Sequence, residues 1–289
     1  MTAPASIFLP AFGKIIELGT LDNFMWATLK GWGSLVNVKH AREVFRNITE
    51  GADPAVEARE LERRLKEEED DLKLIHFTDE QAKEDYPYLM NLVCVRLWAI
   101  AEAGIREVVI SALKEPNGPP DRSKLDKLKG PIAQFMGADA DTQAELLADL
   151  IWQAPEGRFR GVQRFEAVLE LLGLGGAVPA EVSEVLTELS EVRHCVVHRG
   201  GFLDRRFLHG CPWVQIPVGS RLPVSLQRYW FYRTAVYWYA LELVRRWGRW
   251  KGVAGIVAMA DGLDSVVLGE LTPAWGSEKR LQLKPIPEG

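Results

Sequence analysis

The stretch LSEVRHCVVHRGGFLD, residues Leu189–Asp204, contains the clearest helix end of the chain. In and before it, apolar residues recur at spacings of three and four, which predicts a helix with one buried face. Gly200 and Gly201 then follow, and glycine is the residue that most often ends a helix. We therefore expect His198 to lie in the last helical turn. The apolar residues of the pattern are Val182, Val185, Leu186, Leu189, Val192 and Val196.

Helical patterns also dominate the chain upstream of this stretch. The segment after Pro87, which runs to about Lys114, is apolar on nearly all sides and predicts a central core helix. The sequence EPNGPP then ends that helix, because proline and glycine break helical periodicity. Further helices are predicted between residues 121 and 172.

The chain downstream of the double glycine has a mixed pattern. The sequence VQIPVGSRLPV predicts two short strands about a turn, and hence a small β-hairpin near residues 213–224. Ser225 then predicts the N-cap of a second long helix, LQRYWFYRTAVYWYALELVRRWGRW. From Gly252 onward, apolar residues alternate with Asp-Gly and Gly-Glu breaks, which predicts an irregular or β C-terminal tail.

These patterns together predict a mainly α protein, a helical bundle with one small hairpin insertion. The predicted organisation is an N-terminal helical extension over residues 1–80, a helical domain over 81–251 and a C-terminal tail over 252–289.

Positive charge is concentrated in one window. Between Arg193 and Lys251 eleven Lys and Arg residues face only two acids, a net +9, which leaves −14 for the rest of a chain whose net charge is −5. An acidic body with one basic segment suggests a local site for a polyanion such as RNA. The alternative is that these side chains form ion pairs with acids from the first half of the chain.

The composition indicates no metal, no cofactor and no membrane segment. The three cysteines have no paired spacing and no clustered histidines beside them, which argues against a zinc site or a disulfide framework. No apolar run reaches the length of a transmembrane helix. The start, MTAPASIFLPAFG, lacks the basic region and long apolar core of a signal peptide, so we expect a cytoplasmic protein.

The chemistry of the opening stretch centres on Arg193 and His198. The carbonyl end of a helix favours positive charge, which suits a histidine that gives and takes a proton. A guanidinium group binds phosphate oxygens in a fork, and three more candidates for phosphate or RNA binding follow: Arg199, Arg205 and Arg206. A proton-transferring group beside a cation is what RNA cleavage without a metal requires.

One histidine supplies only one of the two proton transfers in such a reaction. Water, His194 or a second His198 across a two-fold axis could supply the other. A symmetric dimer at this helix end would double the arginines and histidines in one cleft. His194 is therefore a supporting candidate, with a surface or interface histidine as the alternative interpretation.

The sequence RHCVVHRGGFLD resembles the signature of the HEPN superfamily, an arginine, usually a polar residue, and a histidine four to six positions later. Arg193, His194 and His198 fit that order. The run HRGG with an acid at Asp204 resembles the branch associated with bacterial defence. The sequence AIAEAGIREV resembles the family's core helix, which often carries a glutamate, and Glu102 is the matching residue.

The resemblance, which covers roughly Tyr86 to Trp247, implies a helical bundle that forms a homodimer around the arginine–histidine motif. Many members are metal-independent endoribonucleases of toxin–antitoxin, abortive-infection or CRISPR-associated systems. It therefore implies an RNA-cleaving toxin or anti-phage effector, with an antitoxin or another defence protein as partner. Other members have lost activity, so an inactive helical module that binds RNA or protein is the alternative.

Overall fold

The computed structural model is mainly helical, which confirms the predicted fold class. It describes residues 13–14, 16–30, 63, 66, 73, 76–78, 80–84, 86–130, 135–155, 159–278 and 281–282. The helices, in chain order, are α1 (Pro87–Lys114), α2 (Ala140–Gln153), α3 (Val162–Glu170), α4 (Ala180–Arg199), α5 (Arg205–Gly210), α6 (Leu226–Lys251) and α7 (Ala254–Glu278). Residues 16–30 are also helical, and Leu125–Lys127 form a short 3₁₀ turn.

Helix α1 lies at the centre of the bundle, as its all-round apolar sequence predicts. Pro87 occupies its first turn, where a missing N–H costs no hydrogen bond. The helix packs against α2, α4 and α6. Along it Leu97 is fully buried and Trp98 stacks on Phe165 of α3 with ring centroids 4.8 Å apart. Packing against three helices buries most of α1 and explains the apolar character of its sequence, although Tyr88 and Leu92 remain exposed.

The helical residues 16–30 belong to the same hydrophobic core. Leu18, Leu21 and Met25 are buried in one cluster with residues of α1 and α6. The Asp22 carboxylate accepts hydrogen bonds from the Tyr229 hydroxyl at 2.9 Å and from the Arg233 Nε at 2.7 Å. This part of the predicted 1–80 extension is thus packed directly on α6. The Asp53-Pro54 pair, a sequence signal for the start of a helix, and the acidic run EEEDD at residues 67–71 lie outside the described residues.

The hairpin predicted near residues 213–224 is wrong. Strand β1 (Val214–Gln215) pairs in parallel with β2 (Leu281–Gln282), not with a neighbour in the same segment. The residues after Gly219 instead form backbone hydrogen bonds with the loop that follows α4: Leu203 N donates to Ser220 O at 2.9 Å. Two prolines, at 217 and 223, lack the N–H groups that a local ladder needs.

The irregular or β tail predicted after residue 252 is also wrong over most of its length. Helix α7 runs for 25 residues and packs along α6. Its buried residues have helical spacing and are Ala260, Val267, Leu271 and Trp275. Its four glycines lie every seven residues on the exposed side, so their cost to helix stability is outweighed by tertiary packing.

Candidate active site at the C-terminal end of α4

Helix α4 ends as the double glycine predicts. Gly200 and Gly201 adopt positive φ of 61° and 84°, and both N–H groups donate to the Cys195 carbonyl. Glycine takes this left-handed conformation without steric strain, so it caps carbonyls that the helix would leave unpaired. The termination leaves His198 exposed in the last turn.

Arg193 and His198 are in direct contact. Arg193 Nη1 lies 3.4 Å from His198 Nε2, and the arginine is half-buried while the histidine is exposed. Because a guanidinium group can only donate, Nε2 is the acceptor when the imidazole is neutral. The structure thus brings together the two principal candidates of the sequence, one fixed cation beside one group that can exchange a proton.

His194 joins this pair from one turn earlier. Its ring centroid lies 4.9 Å from that of His198, with 48° between the ring planes. Its Nε2 lies 3.9 Å from Oδ2 of Asp204. Burial lowers the pKa of His194, and the electrostatic effect of the neighbouring Arg206 and His198 lowers it further. A histidine with a lowered pKa is neutral near pH 7 and can therefore accept a proton.

Two of the three predicted phosphate-binding arginines are held by carboxylates of this chain. Arg199 Nε lies 3.4 Å from Asp204 Oδ2, and Arg206 Nε lies 3.1 Å from Oε2 of the fully buried Glu191. Arg205 is exposed and has no ion pair within the described part of the chain. Arg205 can therefore bind a phosphate directly, whereas Arg199 and Arg206 would have to give up or share their ion pairs with Asp204 and Glu191.

The carboxylates of Asp204 and Glu191 have pKa values shifted in opposite directions. Burial raises the pKa of Asp204, but the N–H of Phe207 and the Arg199 guanidinium outweigh it, so the pKa lies below its usual range. Burial also raises the pKa of Glu191, and there it outweighs the opposing charges of Arg206 and Arg160. Asp204 is therefore ionised at neutral pH and lies beside His194.

Most of the basic window is neutralised within the fold. Eight of its eleven cations form ion pairs: Arg199–Asp204, Arg206–Glu191, Arg228–Glu188, Arg233–Asp22, Arg245–Asp264, Arg246–Glu166, Arg249–Asp261 and Lys251–Glu115. Arg193, Arg205 and Arg221 have no such partner among the residues that the structure describes. The charge count alone therefore overstates the basic surface, and the explanation by internal ion pairs accounts for most of it.

Glu102, the remaining predicted residue, does not approach this cluster. The part of α1 that meets the helix end is the turn with Asn91, whose Nδ2 lies 3.5 Å from where a Cβ on Gly201 would be. Glu102 lies eleven residues further on, about 16 Å along the helix axis. Asn91 was not predicted, although it is a lone polar residue in the apolar run YLMNLV. Its Oδ1 is buried without a hydrogen-bond partner among the described residues.

Other site classes have no counterpart in the part of the chain that the structure describes. Within it, no three His, Cys, Asp or Glu residues gather in a metal-binding arrangement. None of its helices combines the length and apolar character needed to cross a bilayer. Comparisons of the chain with protein-family models, with curated proteins and with solved structures returned no match.

Proposed function

We propose that the protein is a metal-independent endoribonuclease of the HEPN type. The observation that carries the proposal is the contact between Arg193 and His198 at the exposed end of α4. It places a fixed positive charge within hydrogen-bond reach of a proton-transferring group, and solvent or substrate can reach both. Such a pair suits a reaction in which negative charge develops on a phosphate while protons move.

The reaction begins when a base takes the proton of a ribose 2′-hydroxyl. The 2′ oxygen attacks the adjacent phosphorus, and Arg193 stabilises the negative charge of the phosphorane. The bond from phosphorus to the 5′ oxygen then breaks, and an acid protonates that oxygen. The products are a 2′,3′-cyclic phosphate and a 5′-hydroxyl. His198 supplies one of the two proton transfers.

The second proton transfer has two candidate sources in this proposal. His194 lies 4.9 Å from His198 ring to ring and has a lowered pKa, which suits a base. A second copy of the chain is the other source, through a homodimer in which two α4 ends meet. Val197, an apolar side chain in the last turns of α4 that is 48% exposed, supports such a dimer.

The test uses purified wild type, Arg193→Ala and His198→Ala with mixed RNA in the presence of a chelator. We expect wild type to cleave and each variant to lose roughly a hundredfold or more of the rate, as for the removal of an acid–base or charge-stabilising group. Cyclic phosphate and 5′-hydroxyl ends should form. Undiminished cleavage by His198→Ala contradicts the assignment, and loss of wild-type cleavage in the chelator contradicts the metal-free mechanism.

Mixing wild type with an excess of His198→Ala locates the second proton donor or acceptor. If a second His198 supplies it, the mixture forms heterodimers with one His198 each, and its activity falls well below that of the same amount of wild type alone. If His194 completes the site within one chain, the excess of His198→Ala leaves the wild-type activity unchanged and His194→Ala is as deficient as His198→Ala. Light scattering on the same samples reports whether a dimer forms.

A toxin or anti-phage effector is the biological role that we propose for this activity, with an antitoxin or another defence protein as regulator. Expression of wild type should arrest growth of the host cell, whereas His198→Ala should not. Arrest by both proteins contradicts a toxicity that depends on cleavage.

The second candidate is an inactive helical module that binds RNA or protein. The ion pairs of Arg199 with Asp204 and of Arg206 with Glu191 favour it, because they reduce the charge available to a phosphate. Wild type that binds RNA but leaves it intact would support this candidate.

A further inference from the structure

An isolated antiparallel bridge joins Phe202, just after the double glycine, to Arg221. Two hydrogen bonds flank it, Leu203 N to Ser220 O at 2.9 Å and Leu222 N to Gly201 O at 2.8 Å. This pattern makes Phe202 and Arg221 a non-hydrogen-bonded pair, the arrangement in which opposed side chains lie closest and on the same face.

The bridge orients this pair outward. Leu203 and Leu222, the next residue on each strand, are 2% and 1% exposed and anchor the bridge in the core. Because successive side chains of an extended chain point to opposite faces, Phe202 and Arg221 project into solvent. Phe202 is 46% exposed, and Arg221 is exposed as well. The fold thus fixes the backbone of both residues while leaving their side chains accessible.

Neither side chain has a partner among the described residues that accounts for its exposed position. Arg221 forms no ion pair within the described residues, unlike most cations of its window. Phe202 makes no ring contact with another described aromatic residue or cation. An open aromatic face beside an uncommitted guanidinium group is the pairing with which proteins hold single-stranded nucleic acid, the base stacked on the ring and the phosphate bound by the cation.

The pair lies at the candidate active site. Phe202 N donates to the Arg199 carbonyl at 3.2 Å, and its Cδ2 is 4.0 Å from where a Cβ on Gly200 would be. The chain then turns back, so that Asp204 reaches both His194 and Arg199. Phe202 is therefore held against the same helix end that presents His198.

We propose that Phe202 and Arg221 form a subsite for one nucleobase and its adjoining phosphate, in single-stranded RNA, next to the bond that is cleaved. This subsite rests on the proposed ribonuclease function. It requires an unstacked base, because a base within a duplex has no free face to offer. The substrate class is accordingly an RNA loop, tail or single strand.

The experiment measures binding separately from cleavage. A fluorescent single-stranded 2′-O-methyl oligonucleotide cannot react, since its 2′ oxygen carries no proton, and its Kd is read by fluorescence anisotropy. Phe202→Ala and Phe202→Leu should each weaken binding roughly tenfold, whereas Phe202→Trp should retain it, because stacking needs a ring and not merely an apolar group. Arg221→Ala should weaken binding and reduce its salt dependence, and Arg221→Lys should retain most of both.

A duplex of the same sequence should bind more weakly than the single strand to wild type and should be insensitive to Phe202→Ala. The subsite is contradicted if Phe202→Leu binds as tightly as wild type, or if Phe202→Ala changes only the oligomeric state, which would make Phe202 a protein contact. If wild type binds in the Phe202-dependent way but cleaves no RNA, the subsite stands and the ribonuclease fails. If Phe202→Ala binds and cleaves normally, the ribonuclease stands and the subsite fails. Absence of any binding by wild type refutes the subsite.

Discussion

The two halves of α4 carry ionisable side chains in opposite settings. In the middle of the helix, Glu188 is 1% exposed and binds Arg228 through both oxygens, at 2.5 and 2.6 Å. The Tyr232 hydroxyl donates to the same carboxylate at 2.6 Å, and the Trp213 indole donates as well. At the C-terminal end, the half-buried Arg193 contacts the exposed His198, and the ring of His194 lies beside that of His198.

The difference indicates separate tasks for the two regions. Each Glu188 oxygen accepts two hydrogen bonds, so this buried network is satisfied and fixes α4 relative to α6. The guanidinium of Arg228 also lies over the Trp275 ring at 4.5 Å, which links α7 to the same point. The helix end has donor and acceptor capacity that the fold does not use. A fixed network therefore positions a site whose own groups remain open to a ligand.

The largest stability effect should come from removing the buried carboxylate. Glu188→Ala leaves Arg228 as an uncompensated buried charge, so we expect a loss of about 3–5 kcal/mol in the free energy of unfolding. Urea denaturation measures it. The matched control is Glu145→Ala on α2, an exposed glutamate, which should change stability by less than about 0.5 kcal/mol.

A double variant separates the buried charge from the volume that is lost. Glu188→Leu with Arg228→Met removes both charges and keeps apolar bulk, so it should recover much of the stability lost in Glu188→Ala. A Glu188→Ala protein as stable as the Glu145→Ala control would mean that the network does not hold the two helices together.

The parts of the fold that the sequence predicts are those set by local signals. The double glycine ends α4 at the expected residue, and Ser225 caps α6 by accepting from Arg228 N at 3.1 Å. The mainly α class and the central α1 follow from hydrophobic periodicity. Local sequence did not predict α7, because a glycine every seven residues and Pro273 are typical of an irregular segment. The helix forms because it packs on α6, which the local sequence does not reveal.

The site was less predictable than the helix that bears it. The Arg193–His198 contact spans five residues, which a regular helix places about 140° apart around its axis, so helical spacing alone does not predict it. The partner of Arg206 is fifteen residues away and that of Arg228 is forty away, and no periodicity reveals such pairs. The approach of Phe202 to Arg221 depends on how the loop after α4 folds back, which a local pattern does not specify.

The second-largest effect on stability is expected at Asp204, which connects the C-terminal end of α4 to α5. Its side chain caps α5 by accepting from Phe207 N at 2.9 Å and also pairs with Arg199. Asp204→Ala should cost about 1 kcal/mol, as the loss of an N-cap typically does, whereas Asp204→Asn should cost less because asparagine caps equally well. Denaturant unfolding compares the two. Equal losses in both variants would show that the charge, and not the cap, stabilises this turn.

A smaller effect should appear in the dependence of stability on pH. In the folded protein the pKa of His194 lies below its usual 6.5. As the pH falls below 6.5, the unfolded chain therefore binds a proton at this residue before the folded protein does. The stability contributed by the neutral histidine is present above pH 6.5 and is lost as the pH falls through the lowered pKa. Between pH 7.5 and 5, wild type should therefore lose more stability than His194→Gln. Parallel curves for the two proteins contradict this assignment.

The smallest stability effect is expected for the two residues with the largest expected effect on cleavage. Arg193→Ala and His198→Ala remove side chains that make no ion pair with a described carboxylate and are not buried, so the free energy of unfolding should change by no more than about 0.5 kcal/mol. Urea denaturation and circular dichroism on the proteins used for cleavage measure this. A loss comparable to that of Glu188→Ala would show that the helix end is structural, and any loss of cleavage would then report unfolding and not chemistry. A small change in the free energy of unfolding together with a large loss of cleavage would show that the middle of α4 serves stability and its C-terminal end serves catalysis.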